Sequence, residues 1–153
     1  MTILKIIIIA VIAVVGLTFL TLQKNGANLL QAPGVKERLQ VFLTSNTAKT
    51  SITHKFGELK PAIYDINEER LYKKILHTAT ELGWEILSRD DENQNANFVV
   101  RTSLFSFEDD VYVQVLFVDA NKSSLSVESH SRKGRADFAA NSGNIQALLK
   151  KLM

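Results

Sequence analysis

The chain begins with a long stretch of apolar residues that contains no charge. Residues 6–22 read IIIIAVIAVVGLTFLTL, and Ile3 and Leu4 extend the stretch beyond Lys5. A helix rises about 1.5 Å per residue, so roughly 20 apolar residues cross a hydrocarbon core of about 30 Å. In lipid a helix is favoured over a strand, because its backbone groups are bonded within the segment. The pattern predicts a transmembrane anchor over residues 1–24, with residues 3–22 in the membrane.

A cleaved signal peptide is the alternative interpretation of this stretch. Such a peptide has a short apolar region and small residues before the cleavage site. The stretch is followed by Gln23, Lys24 and Asn25, without a small-x-small site, and the candidate at residues 30–32 precedes Pro33. We therefore prefer the uncleaved anchor.

The next part of the chain, residues 25–62, shows little periodicity. Residues 25–34 contain a Pro-Gly pair and are typical of a linker. Residues 35–43 fit a short amphipathic helix, and residues 44–60 are rich in small polar side chains. We interpret residues 25–62 as a linker and covering segment, with 44–60 as a loop laid on the domain.

A compact domain is predicted over residues 63–153, and its first element is a helix. Asp65 and Glu68 have the spacing of a capping box, in which each side chain bonds an amide at the helix start. Gly83 supplies the left-handed residue that ends a helix. Between them, apolar residues fall on one helical face, namely Leu71, Ile75, Ala79 and Leu82. We expect this helix over residues 67–82.

Strands and a second helix complete the domain. Alternation of apolar and polar residues predicts four strands, over residues 84–88, 96–107, 111–118 and 123–129. A final helix is expected over residues 137–152, with Asp137 at its N-terminus. Short links between the strands favour an antiparallel meander. The predicted fold is an α+β two-layer sandwich, with four strands, two helices on one face and one preceding transmembrane helix.

The predicted sheet carries apolar residues on both faces. One set lies on the face away from Leu104 and Val113, namely Phe105, Phe107, Tyr112, Leu116 and Val118. An apolar sheet face has to be covered or has to bind something. We interpret residues 44–60 as its cover, and the alternative is a lipid or a partner protein.

Composition and charge exclude several classes of function. The formal net charge is +2, far from the dense basic face of a nucleic-acid binder. The sequence contains no cysteine, which excludes disulfides, thiolate metal sites, a cysteine nucleophile and a lipid-modified N-terminal cysteine. We expect no nucleic-acid partner.

Several motifs in the second half of the chain are distinctive. They are Arg101-Thr102-x-Leu104-Phe105-x-Phe107-x-Asp109-Asp110-Val111 and Ser129-x-Ser131-Arg132-x-Gly134-Arg135-x-Asp137-Phe138-x-x-Asn141. With them the chain resembles the DUF1499 family of unknown function. Residues 43–60 look like the membrane-anchored bacterial branch of that family, although the Cys-Pro-rich start of lipoprotein-like members is missing. The resemblance implies a small α+β domain at a bacterial inner membrane, which we expect to face the periplasm, and it implies no reaction.

The strongest candidate site is the segment from Ser131 to the start of the last helix. Gly134 permits a backbone conformation that other residues rarely adopt. Arg132 and Arg135 would then stand beside free amides at the helix N-terminus, which together favour an anion. Asn141 belongs to the same motif. The alternative is a structural corner, in which the arginines pair with nearby aspartates and Asp137 occupies the amides as a cap.

Other candidate chemistry is weaker. Asp109 and Asp110 form an acidic pair that could serve a hard cation or acid/base catalysis, but a turn or an arginine-facing pair is the simpler interpretation. The three histidines, His54, His77 and His130, have no metal-binding spacing. No G-x-S-x-G elbow is present. We therefore predict no catalytic residue, no metal site and no cofactor.

These observations favour a non-catalytic, membrane-tethered domain that binds or scaffolds lipid or an envelope protein. One alternative is an enzyme that acts on a membrane-derived substrate, with Asp109 or Asp110 as its acid/base. The other is a purely structural accessory of a membrane complex. A concave pocket would favour ligand binding over the structural role.

Overall fold

The computed structural model describes residues 2–101 and 107–153. Its helices are α1 (Thr2–Lys24), α2 (Val35–Thr44), α3 (Glu68–Glu81) and α4 (Ala140–Leu152), with a 3₁₀ turn at Gly57–Leu59. Its strands are β1 (Thr47–Lys49), β2 (Ile63–Tyr64), β3 (Glu85–Asp90), β4 (Asn95–Arg101), β5 (Glu108–Asp119) and β6 (Lys122–Ser131). The predicted residues Leu104 and Phe105 lie outside the described residues.

All strands belong to one antiparallel sheet with the order β1-β6-β5-β4-β3. β2 pairs with β6 as well, so β1 and β2 share the same outer edge of that strand. The α+β class and the antiparallel sheet are confirmed. The sheet has six strands where four were predicted, because β1 and β2 are too short to show alternation and owe their conformation to pairing with β6.

Helix α3 lies within one residue of its predicted bounds at each end. Its cap differs from the prediction, because the side chain of Asn67, and not of Asp65, accepts a hydrogen bond from the Arg70 amide at 3.0 Å. Gly83 ends the helix with φ of 76°, and the Trp84 amide donates back to the Ala79 carbonyl at 3.0 Å. This left-handed glycine end is the one that the sequence predicts.

Helices α3 and α4 pack against each other and against the same face of the sheet. The core between them holds the inward side chains of the central strands, namely Ala96, Phe98, Val111, Val113, Val115, Leu125 and Val127. On the opposite face, Tyr112 and Leu116 stay exposed. Residues 44–60 do not cover that face, since β1 continues the sheet at its edge and Phe56 and Leu59 turn into the core.

Arg38, in α2, is completely buried between the segments that precede and follow this helix. The Arg38 side chain is 0% exposed and forms an ion pair with Glu58 at 2.6 Å. The same guanidinium donates to the carbonyls of Ala27, Gln31 and Ala32 and lies 4.3 Å from the centroid of the Phe56 ring. Arg38 therefore ties the segment after α1 to the 3₁₀ turn.

Helix α1 is long and apolar enough to cross a membrane, and its apolar side chains are exposed almost to its C-terminal end. The segment that follows is packed on α4. The Asn25 side chain donates to the Phe138 carbonyl at 2.9 Å, and Gln146 donates to the Gly26 carbonyl at 3.1 Å. Leu22 and Ala27 are buried beside these bonds.

Substitution of Gly143 by alanine tests this junction. A Cβ at Gly143 would lie 2.7 Å from the backbone oxygen of Asn25, which is closer than van der Waals contact allows. Helix propensity alone predicts a gain of about 1 kcal/mol for Gly→Ala inside α4. We expect the clash, at about 1–3 kcal/mol, to prevail and to lower the unfolding temperature.

The measurement is thermal unfolding of the full chain in detergent, followed by the fluorescence of Trp84, the single tryptophan. Gly57→Ala is the matched control, because a Cβ there meets nothing within 4 Å. Hydrogen exchange of residues 22–28 should become faster in the Gly143 variant. A raised melting temperature for Gly143→Ala would show that the two segments are not in close contact.

Candidate functional site

The motif between β6 and α4 is organised around Asn141, a fully buried side chain. Its Oδ1 accepts from the Ser129 hydroxyl at 2.6 Å. Its Nδ2 donates to the Asn46 carbonyl at 2.7 Å, to Ser131 Oγ at 2.9 Å and to Asp137 Oδ2 at 2.7 Å. Asn141 therefore joins the end of β6, the start of β1 and the start of α4.

Asp137 occupies the amides that were predicted to hold an anion. Its carboxylate accepts from the Ala139 amide at 2.9 Å and from the Asn141 amide at 3.1 Å. Burial raises the pKa of Asp137, and the hydrogen bonds from Asn141 and Ala139 offset only part of this effect. The helix start thus already holds one carboxylate of the chain itself.

The backbone at this corner is left-handed at Phe138 and Ala139, with φ of 52° and 69°. Such conformations cost of order 1–3 kcal/mol at non-glycine residues and persist when the surroundings fix them. Here the Phe138 amide donates to the Phe42 carbonyl at 3.1 Å, and Asn25 donates to the Phe138 carbonyl. Contacts from both α2 and the end of α1 therefore hold the corner.

Arg132 lies on the outer, solvent-facing side of the sheet in a row of ion pairs. It bonds Asp110 at 2.6 Å and also pairs with Glu108. The row continues from Glu108 to Arg101 at 3.2 Å and from Arg101 to Glu85 at 2.6 Å. The hydrogen bonds from Arg132 hold the pKa of Asp110 below its ordinary value. The guanidinium of Arg132 is thus satisfied by carboxylates of neighbouring strands.

Arg135 is exposed, and in the described residues it makes no hydrogen bond or ion pair. Gly134, one residue before it, has φ of 91° and its carbonyl accepts from the Asn46 side chain at 2.9 Å. The structure does not bring Arg132 and Arg135 together with the amides of residues 137–139 in one cavity. The anion pocket drawn from these residues therefore gains no geometric support.

The acidic pair Asp109–Asp110 lies within β5, not in a turn before it. Neighbouring strand residues point to opposite faces. Asp110 faces the ion-pair row, whereas Asp109 faces α4, where Asn144 Nδ2 donates to its Oδ2 at 3.1 Å. The two carboxylates do not share a site. No group of three metal-binding side chains is found in residues 2–101 and 107–153.

A cavity of about 590 Å³ lies beside Asp109, between the end of α1, α4 and the segment that joins β6 to α4. Its apolar lining includes Val100, Phe107, Phe138, Ala140 and Ala147. Polar groups at its wall include Asp109, Asn144, Lys24, Lys133 and Lys150. A volume of roughly 300–1,000 Å³, apolar walls and a few polar groups are typical of ligand pockets.

Sequence reasoning missed most of this lining. On α4, Ala140, Gly143, Asn144, Ala147 and Lys150 all line the cavity. Their spacing of three and four residues marks one helix face. That stripe of small and polar residues lies beside the apolar stripe that packs on the sheet. It was the feature of the sequence from which the α4 side of the cavity could have been predicted. The contribution from α1 had no signal in the pattern, since it depends on how α1 is docked.

Fold and cavity together define a class of protein. It is an α+β domain that is preceded by an apolar helix, with a ligand-sized cavity where the helix and the domain meet. The family model described as "Protein of unknown function (DUF1499)" matches residues 37–152, which is most of the chain. The chain belongs to this family. Among curated proteins no match was found.

Proposed function

We propose that this chain is a non-catalytic, membrane-anchored lipid-binding protein, in which α1 spans the bilayer and the cavity takes part of a membrane lipid. The observation that carries the proposal is the position of the cavity. Thr21 and Lys24, in the last turn of α1, are part of its wall. Twenty-three helical residues extend about 35 Å, against a hydrocarbon core of about 30 Å. The last turn of α1, and the cavity with it, would lie at headgroup level.

The chemistry of the lining supports a lipid as the ligand. Apolar side chains such as Phe107, Phe138 and Ala147 suit an acyl chain or glycerol backbone. Lys133 and Lys150 are exposed at the same cavity, and neither forms a hydrogen bond or ion pair with any part of the chain that the structure describes. Cationic side chains beside the membrane surface attract phosphate groups, at about 1 kcal/mol each.

For the cellular setting, we place α1 in a bacterial inner membrane with the domain on the periplasmic side. The resemblance of residues 43–60 to the membrane-anchored bacterial branch supports this placement. The docked end of α1 supports an anchor that stays attached, since Leu22 and Ala27 are buried in the domain.

Substitution of Ala147 by phenylalanine tests the cavity. The larger side chain would fill space between α4 and the end of α1, so bound lipid should decrease roughly ten-fold, which corresponds to about 1.4 kcal/mol of affinity. The full chain is placed in nanodiscs that contain phosphoethanolamine, phosphocholine and phosphoglycerol lipids, each with a photoreactive acyl chain. Mass spectrometry then maps the labelled peptides. We expect labels on both α1 and α4 in the wild type, and an α4 label that is roughly ten-fold weaker in the variant.

Ala120→Phe is the matched control, because Ala120 is exposed in the turn between β5 and β6 and does not line the cavity. This control should keep the wild-type labelling of α4. The labelling of α1 serves as an internal standard in every sample. Wild-type labelling confined to α1, or undiminished labelling of α4 in Ala147→Phe, would refute lipid binding in the cavity.

A further inference from the structure

The cavity contains a buried carboxylate that lacks a countercharge. Asp109 is 1% exposed, and its side-chain hydrogen-bond partner among the described residues is the neutral amide of Asn144 at 3.1 Å. None of the ion pairs in the described part of the chain includes Asp109, although the adjacent Asp110 pairs with Arg132. Removing a carboxylate from water without a charged partner costs several kcal/mol. The missing partner is the basis of the inference.

The cavity holds a second carboxylate besides Asp109, and Asp109 forms no ion pair with the lysines of the lining, Lys24, Lys133 and Lys150. Asp137 lines the same cavity, and its pKa is raised first by burial and, to a smaller extent, by the charge of Asp109. Its carboxylate already accepts hydrogen bonds from Asn141 and Ala139. Asp109 Oδ1, in contrast, accepts no hydrogen bond from residues that the structure describes. A ligand that carries a cationic donor would satisfy it.

From this geometry we infer that the cavity selects a phospholipid with a primary ammonium headgroup, whose N–H groups bond to Asp109 and whose phosphate lies near Lys133 and Lys150. The inference rests on the proposed function and specifies its ligand. A phosphate followed by an ammonium group matches a cavity that combines exposed lysines with one buried aspartate.

Other common headgroups match less well. A choline headgroup is cationic but has no N–H to donate, so the Asp109 carboxylate would stay without a hydrogen bond. A glycerol headgroup donates hydrogen bonds but supplies no countercharge. An ethanolamine headgroup supplies both, since its ammonium has three N–H donors. The preference therefore depends on charge and hydrogen bonding together.

The experiment uses the full chain in phosphocholine nanodiscs with one photoreactive tracer lipid at a time, bearing an ethanolamine, choline or glycerol headgroup. Labelling of α4 peptides is divided by labelling of α1 peptides in the same sample. We expect the ethanolamine tracer to give a ratio about ten-fold above the other two, as for one charge-assisted hydrogen bond. In Asp109→Asn the three ratios should become similar.

Two controls separate the roles of the groups. Asp65→Asn removes an exposed carboxylate outside the cavity and should keep the wild-type preference. Lys150→Gln should lower the labelling of α4 by all three tracers, since all contain phosphate, and should leave their order unchanged. Thermal unfolding followed by Trp84 fluorescence shows whether each variant is folded. Should Asp109→Asn unfold, the headgroup preference of the wild type decides the question alone.

The possible failures are distinguishable. If no tracer labels α4 in the wild type, both the proposed function and this inference are overturned. If all three tracers label α4 equally, or if folded Asp109→Asn keeps the ethanolamine preference, the cavity binds lipid and the headgroup inference alone is overturned. A ten-fold wild-type preference that is lost only in Asp109→Asn supports both.

Discussion

Replacement of Arg38 by methionine is expected to lower the free energy of unfolding by about 3–5 kcal/mol, because it leaves the Glu58 carboxylate, only 12% exposed, without its partner. All five N–H groups of Arg38 are used, on Glu58 and on the carbonyls of Ala27, Gln31 and Ala32. Whole domains are stable by only about 5–15 kcal/mol, so this is a large fraction. Thermal unfolding of the full chain in detergent, followed by Trp84 fluorescence, measures the loss.

A second substitution at Arg38 separates the effect of the guanidinium geometry from the effect of its charge. Arg38→Lys keeps the positive charge but not the planar fork, so we expect it to lose most of the same stability. Arg70→Met is the matched control, since that arginine is exposed on α3 and its loss should change the stability by less than about 0.5 kcal/mol. A methionine variant of Arg38 as stable as this control would refute the buried ion pair.

The pH dependence of stability gives an independent test of the Arg38–Glu58 pair. Burial alone would raise the pKa of Glu58, but hydrogen bonds from Arg38 and the charge of the guanidinium outweigh it, and the pKa lies below its ordinary value. A lowered folded-state pKa contributes stability above the unfolded value, near 4.5, and that stability is lost as the pH falls through the folded value. This acid-sensitive contribution should disappear in Arg38→Met.

Replacement of Asn141 by leucine, a side chain of similar volume, should cost about 3–5 kcal/mol, because the fully buried amide of Asn141 makes four hydrogen bonds that leucine cannot make. Ser129, Ser131, Asp137 and the Asn46 carbonyl would each lose a partner. The cost is smaller than the sum of the separate bonds, because neighbouring interactions are not additive. Chemical unfolding of the full chain, with Trp84 as the probe, measures it.

A second variant, Asn141→Asp, tests the same cluster electrostatically. The new carboxylate would lie beside Asp137, whose pKa is already raised by burial. A raised folded-state pKa means that the folded protein holds the proton more tightly, so stability is lost as the pH rises above about 3.8. We expect Asn141→Asp to be less stable than the wild type at pH 7 and to recover part of the difference near pH 4.

Asn121→Leu is the control for both Asn141 variants, because the Asn121 side chain makes no hydrogen bond in the described structure and is exposed. It should leave the unfolding midpoint nearly unchanged. Equal stability of Asn141→Leu and the control would contradict a structural role for the cluster. The motif around Asn141 would then have to be explained by ligand contact alone.

The elements with strong periodicity could be predicted from the sequence. Helix α3 needed only its apolar stripe and Gly83, and strands β5 and β6 alternate clearly around a tight turn. The short strands could not be predicted. Thr47–Lys49 and Ile63–Tyr64 become strands because β6 offers them hydrogen bonds, and this long-range pairing leaves no trace in two or three residues.

The sequence pattern singled out the motif from Ser129 to Asn141 but not the contacts that organise it. This motif forms the corner between the sheet and α4, and its centre is the Asn141 amide, which bonds Ser129, Ser131 and the Asp137 carboxylate. Arg132 lies on the outer face, because it directly follows Ser131, the inward-facing last residue of β6, and continues the alternation of that strand. The burial of Arg38 depends on Glu58, twenty residues away. A polar residue in a short amphipathic helix gives no hint of such a partner.

The close packing of Asn25 on Gly143 joins the end of α1 directly to α4. A bilayer that is thinner than the apolar length of α1 is matched by helix tilt, at a cost of fractions of a kcal/mol per Å. If α1 spans the bilayer as proposed, the contact between Asn25 and Gly143 would transmit such a tilt to α4 and move the mouth of the cavity relative to the lipid surface. Local membrane thickness would thereby set how deeply the domain leans into the headgroups.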